Sequence, residues 1–146
     1  MRVYGLLIDQ LRVLLSDEWI SAGAVTKFPG GGLEFGEGTI ACLQREFKEE
    51  LGLDVRVKEH FYTTDFYVVS AFDPQCQVIS IYYLVEPVSE MDFKASSLPH
   101  DYEPVKGAQS FRWMAIDRLS PDDLSLVIDR KVAELIRIRF SANERT

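Results

Sequence analysis

Residues 31–53 read GGLEFGEGTIACLQREFKEELGL, a glycine-rich run followed by an acidic one. Glycines crowd its first part, from Gly30 to Gly38, and glycine tolerates positive φ and lets backbone approach a ligand closely. From residue 39 the pattern changes: Ile40, Leu43, Phe47 and Leu51 recur at helical spacing, so the chain is expected to pass from a loop into a helix over 39–51. Thr39 is the expected N-cap, and Gly52 stands just past the end, where a left-handed residue is favoured. On a helix turning about 100° per residue, Glu46, Glu49 and Glu50 at i, i+3 and i+4 emerge on one face, with Leu43, Phe47 and Leu51 rotated away from them. Such an acidic face, accompanied by Arg45 and Lys48, is ordinarily just solvated. Like charges at this spacing repel, however, and a hard divalent cation such as Mg²⁺ or Mn²⁺ takes its oxygen ligands from carboxylates. The glycine loop feeding directly into the acids favours that second reading, and Glu37 is placed to pair with Arg45 and tie loop to helix.

The flanking sequence reads as strands. Val3–Ile8 and Leu11–Leu15 around Asp9-Gln10 suggest a hairpin. Residues 54–70 and 77–85 are rich in Val, Ile, Tyr and Phe and bracket Asp73-Pro74, which suggests a second, long hairpin. The polar stretch from Pro87 to Gly107 exceeds ordinary loop length, as functional lids and disordered segments do. Gln109–Ile116 is expected to be a strand, and Ser120-Pro121 opens a helical region with a frayed end after Phe140. The result is a mixed α/β (α+β) domain of sandwiched layers, one domain over residues 1–146.

Composition excludes several classes of function. Sixteen Lys and Arg against 23 Asp and Glu give a net charge of −7, the wrong sign for gripping a nucleic-acid polymer. No apolar run has membrane-spanning length, so no membrane association is expected. Cys42 and Cys76 are too few for a disulfide framework, and a cytoplasmic location is expected. Each is weighed as a packing or turn residue. His60 and His100 lack a partner at zinc-ligand spacing and receive no role.

The stretch resembles the signature of the Nudix hydrolases: Gly, five residues, Glu, seven residues, Arg-Glu, apolar, any, Glu-Glu, any, Gly, apolar. Gly31, Glu37, Arg45-Glu46, Phe47, Glu49-Glu50, Gly52 and Leu53 meet every position. Looser similarity extends to Phe28-Pro29-Gly30 and Phe111-Arg112-Trp113. The resemblance implies a Nudix-type α/β/α sandwich with a mixed central sheet. It also implies Mg²⁺- or Mn²⁺-dependent hydrolysis of a nucleoside diphosphate linked to another moiety, by water attack on phosphorus. Under it Glu46, Glu49 and Glu50 are metal ligands, and Gly31, Gly32, Glu37, Arg45 and Gly52 form the structural and phosphate loop. Glu46 or Glu49 is the candidate general base. Outside the motif Glu103 is the preferred acid among Glu90, Asp92, Asp101 and Glu103, and Lys27 is a candidate phosphate contact. A non-catalytic nucleotide-sensing module is the alternative, and such modules usually lose motif glutamates that are all present here. The partner implied is a small nucleotide: a triphosphate, nucleotide sugar, ADP-ribose or dinucleotide. Phe66-Tyr67-Val68 stands where some ADP-ribose-cleaving subfamilies carry proline, which weighs against ADP-ribose. A homodimer through the apolar strand from Val78 to Val85 is a further expectation.

Overall fold

The computed structural model describes residues 1–144. Its backbone divides into two compact units, Met1–Leu7 with Pro29–Phe93 and Ile8–Phe28 with Lys94 onward, and strand β1 (Arg2–Asp9) contributes to both.

In the first unit, β1 lies between β4 (Gly30–Gly32), antiparallel to it, and β6 (Ser80–Pro87), parallel to it; β5 (Val55–Thr63) pairs antiparallel with β6 on the far side. The sheet is therefore mixed, in agreement with the expected fold class. Helix α1 (Thr39–Leu51) follows β4 after a short loop and has the expected bounds. It ends as expected at Gly52, in the left-handed region with φ 63°. The expected cap at its start differs: Gly38 is the N-cap and makes no side-chain bond, while the Thr39 hydroxyl pairs with the Tyr83 hydroxyl at 2.7 Å. Cys42, Leu43, Phe47 and Leu51 are buried, whereas Ile40 is 46% exposed. Phe47 sits so close to β1 that a Cβ at Gly5 would fall 2.6 Å from its ring.

The long second hairpin is shorter than expected. Residues 64–79 are not strand apart from one isolated bridge, Val69 to Gln77. Here the apolar residues were a poor guide: Tyr67 is 73% and Phe72 83% exposed, so no core face dictates pairing. The Asp73-Pro74 turn is present, with Ser70, Asp73 and Cys76 closing it through side-chain and backbone bonds. Strand β6 has β1 on one side and β5 on the other, so its backbone offers no free edge for a second copy.

In the second unit, β2 (Arg12–Ile20) pairs antiparallel with β3 (Gly23–Lys27) and β7 (Gln109–Ala115), and through Val13 and Arg12 with the end of β1. The first hairpin is present, but its turn is Gln10-Leu11, both at positive φ (52° and 58°), which matches the twist of the flanking strands. The helical region resolves into single 3-10 turns at Ile116–Arg118 and Pro121–Asp123, the latter held by a Ser120/Asp123 capping box, and then α2 (Val127–Glu144). Ile128, Val132, Ala133 and Ile136 of α2 are buried, as are Ile116, Leu119 and Leu124. Each such burial is worth roughly 1.5–3 kcal/mol for the larger side chains. The helix runs through 141–144, where a frayed tail was expected; residues 145–146 lie outside the described residues. No described helix is long and apolar enough to cross a membrane.

Candidate active site

Arg45 organises the residues that the sequence singled out. Its Nε donates to Glu37 Oε2 at 3.0 Å and its Nη2 to Glu37 Oε1 at 2.8 Å, a two-pronged pair that ties the loop to α1. Nη2 also donates to the Gly32 carbonyl at 3.2 Å. Nη1 donates to Glu46 Oε1 and to Glu49 Oε2, each at 3.2 Å, and lies 3.6 Å from Glu34. The loop closes on itself as well, with the Glu34 amide donating to Glu37 Oε1 at 2.9 Å. Hydrogen bonds from Arg45 and the Glu34 amide hold the Glu37 carboxyl down at about 2. Burial, together with the neighbouring Glu37 carboxylate, pushes the Cys42 thiol up to about 11, so it is a packed thiol whose Sγ donates to the Gly32 carbonyl at 3.5 Å.

Glu46 is seated on β4 through an absence. A Cβ at Gly31 would lie 2.5 Å from Glu46 Oε1 and 2.6 Å from its carboxyl carbon, so glycine lets the carboxylate stand where it does and a side chain here would displace it. The sequence pattern thus places two glycines on adjacent strands, Gly5 and Gly31, beneath two successive helix residues, Phe47 and Glu46. One contact builds the core and the other positions an acid. Glu46 is 14% exposed and Glu49 59% exposed, while Glu50 turns Oε2 away from solvent.

Among the described residues no three His, Cys, Asp or Glu side chains converge on a point that a cation would occupy. The carboxylates are gathered around the guanidinium instead. One guanidinium facing Glu34, Glu37, Glu46 and Glu49 leaves surplus negative charge on this surface. An all-oxygen donor set with surplus charge fits a hard divalent cation.

The two residues singled out beyond the motif, Lys27 and Glu103, lie in the second unit. Lys27 is 7% exposed, and its Nζ lies 3.0 Å from Glu18 Oε2. Glu18 Oε2 also accepts from Ser16 Oγ at 2.9 Å and Gln109 Nε2 at 3.3 Å. By register Ser16, Glu18, Lys27 and Gln109 share one face of the β3-β2-β7 sheet. Glu103 is exposed on the long loop, where its carbonyl accepts from the Val105 amide at 2.7 Å. That loop is fastened to the opposite face, at Asp17, Thr26 and Ser110.

Asp17 was missed in the sequence. It is fully buried, accepting from Arg112 Nε at 2.7 Å, the Thr26 hydroxyl at 2.7 Å and the His100 amide at 3.1 Å. Burial alone would raise its carboxyl, but these donors outweigh burial and hold it below the usual carboxylate range. One signal was available: in Val13, Leu15, Asp17, Trp19 a charge stands in phase with the apolar positions of β2.

Comparison with known proteins follows the same lines. The family model for the NUDIX domain matches residues 1–135. Among solved structures, the chain is similar to a NUDIX hydrolase from Nitrosomonas europaea (TM-score 0.66, 20% identity, 92% of this chain and 85% of that one). It is similar to a MutT NUDIX hydrolase from Burkholderia pseudomallei (TM-score 0.65, 20% identity, 92% and 95%). It also resembles an ADP-ribose pyrophosphatase from Streptococcus suis (TM-score 0.58, 17% identity, 97% and 90%). At these identities the likeness is one of fold. The family match, spanning both compact units and including every position of the motif around Arg45, decides the assignment: this chain belongs to the NUDIX domain family.

Proposed function

We propose that residues 1–146 act as one hydrolase domain that cleaves the diphosphate bond of a nucleoside diphosphate linked to another moiety. The observation that carries this reading is the surplus of carboxylates around Arg45, with that of Glu46 seated against Gly31. Such chemistry is limited by positioning and charge more than by covalent work from the protein. Glu46, Glu49 and Glu50 would hold Mg²⁺ or Mn²⁺. When bound, the cation supplies charge neutralisation for the diphosphate oxygens and makes the attacking water more acidic.

The chain's own residues do the rest. Arg45 and Glu37 fix the loop and hold Glu46 and Glu49 on one side of α1. Gly31 and Gly32 present backbone rather than side chains to the substrate's phosphates. Glu46 or Glu49 takes the proton of the attacking water, with Glu103 the candidate outside the motif; Lys27 is the candidate phosphate contact. The substrate is a small nucleotide, and similarity to an ADP-ribose pyrophosphatase keeps ADP-ribose in the set despite the missing proline.

The test is a panel of nucleoside triphosphates, nucleotide sugars, ADP-ribose and dinucleoside polyphosphates, assayed with Mg²⁺, with Mn²⁺ and with chelator. Turnover of at least one class, dependent on metal and lost in Glu49→Gln, is expected. A folded protein that turns over none of them would sink the reading.

A further inference from the structure

Strand β1 brings a second guanidinium to the glycine strand of the first unit. Arg2 stands opposite Gly32 in the β1–β4 ladder, and a Cβ built on Gly32 would meet Arg2 Nη1 at 3.5 Å. Two arginines therefore flank Gly32, Arg45 of α1 at its carbonyl and Arg2 at its α-carbon. Arg2 is oriented from beneath: its Nε donates to the Tyr4 hydroxyl at 3.0 Å, and its guanidinium carbon lies 5.8 Å from the centre of that ring. Tyr4 is a stiff pedestal, only 2% exposed, with its ring 5.2 Å from Tyr82, which in turn lies 6.3 Å from Tyr62 of β5. Arg2 itself is half-buried, so a planar fork is held near the surface with little freedom left to lose on binding.

Its place relative to the acids follows from the strand. Glu46 is seated against Gly31 and Arg2 against Gly32, and consecutive strand residues face opposite ways. The carboxylate and the guanidinium thus stand on either side of the end of β4, no more than roughly 13 Å apart by bond lengths. A nucleoside diphosphate linked to another moiety spans that distance. Charge supplies the reason for a cation here. Glu34, Glu37, Glu46 and Glu49 share the single guanidinium of Arg45, and one divalent cation would offset only two of those charges. An anionic substrate arriving at this surface gains from positive charge brought by another element. Lys48 is paired with Asp54 and Arg56 with Glu86, whereas Arg2 reaches the glycine strand itself.

We propose that Arg2 is a substrate-binding residue of the hydrolytic site: its guanidinium, oriented by Tyr4, takes a phosphate oxygen of the nucleotide beside Gly32. This rests on the reading of the acidic face of α1 as the place where the diphosphate is cleaved.

The test uses the full chain and includes one arm without turnover. Binding of inorganic pyrophosphate with Mg²⁺ is followed by calorimetry, and kcat and KM are measured with the nucleotide that the panel selects. The variants are Arg2→Ala, Arg2→Lys and Tyr4→Phe, with Lys58→Ala as control, since Lys58 is exposed on β5 and its loss removes the same charge. Thermal unfolding identifies any variant that merely fails to fold. Pyrophosphate is expected to bind about tenfold or more weakly to Arg2→Ala and about threefold more weakly to Arg2→Lys and Tyr4→Phe, with Lys58→Ala unchanged. KM should rise by the same factors while kcat stays within about twofold, because the contact is made alike in the ground state and the transition state.

Pyrophosphate affinity and KM in Arg2→Ala no different from those of Lys58→Ala would overturn the contact. Weakened pyrophosphate binding at wild-type KM would put Arg2 outside the path of the nucleotide and overturn it as well. Wild-type values in both Arg2→Lys and Tyr4→Phe would overturn the oriented fork. A folded chain that turns over no nucleotide would end the hydrolase reading alone, and the pyrophosphate arm would still decide whether Arg2 holds phosphate.

Discussion

Replacing Gly31 by alanine separates catalytic placement from folding more cleanly than any change to the acids themselves. The new methyl would point from β4 at Glu46, 2.5 Å from Oε1, 2.6 Å from the carboxyl carbon and 2.9 Å from Oε2. Ordinary contact begins near 3.4 Å, so the carboxylate must retreat by roughly 1 Å. It cannot retreat freely: Glu46 is 14% exposed and its Oε1 is bonded to Arg45 at 3.2 Å, so the guanidinium and with it Glu49 move too. A misplacement of about 1 Å in a catalytic group costs on the order of a hundredfold in rate, about 2.7 kcal/mol in the barrier. Stability should change by only ~1 kcal/mol, because a carboxylate swings away where a packed ring could not. The assay is kcat at saturating Mg²⁺ beside the melting temperature. Wild-type kcat in Gly31→Ala would refute the reasoning, and so would a loss of activity matched by an equal loss of folded protein.

The other glycine under α1 gives the complementary result: Gly5→Ala drives a methyl into the Phe47 ring at 2.6 Å and should cost about 1–3 kcal/mol of stability while sparing kcat of the folded fraction, readable by urea unfolding. Gly52→Ala forces a side chain into φ 63° at the end of α1 and should cost about 1 kcal/mol, seen as a melting point lower by a few degrees. Glu37, at about 2 in the fold against an ordinary 4.5, contributes stability above pH 4.5 that is lost only as the pH falls toward 2. The acid limb of the pH–rate profile above pH 4 therefore does not report Glu37, and Glu37→Gln should lower the profile without moving that limb's midpoint; a displaced midpoint would contradict this. A thiol reagent at pH 8 should modify exposed Cys76 rapidly and spare buried Cys42 until the protein unfolds, so two fast equivalents would be the wrong result.

How far the sequence could be read depended on whether a residue's role was local. Helix α1 was readable to the residue because periodicity and the closing Gly52 act within a few positions, and the Glu37–Arg45 pair because a helix and a short loop leave little freedom in between. Strand β4 was hidden: three glycines carry no β propensity, and Gly30–Gly32 is a strand only because Arg2–Tyr4 of β1 lies alongside it. Residues 64–79 misled in the opposite direction, since Phe66, Tyr67 and Phe72 promise burial that no facing surface provides. Thr39 makes a plausible cap by type, but its hydroxyl is engaged with Tyr83, 44 residues away. The same distance in sequence hid the Asp17 centre. His100, Thr26 and Arg112 meet there from three separate segments, and no spacing rule connects them.

The most direct test of the central claim is a Mn²⁺ titration followed by calorimetry and by turnover on the same samples, for the wild type and for Glu46→Gln, Glu49→Gln and Glu50→Gln. Binding and turnover are expected to rise together in the wild type, and each substitution is expected to weaken metal binding by about tenfold or more and to lower turnover in parallel. Metal affinity and turnover unchanged in all three folded variants would contradict it.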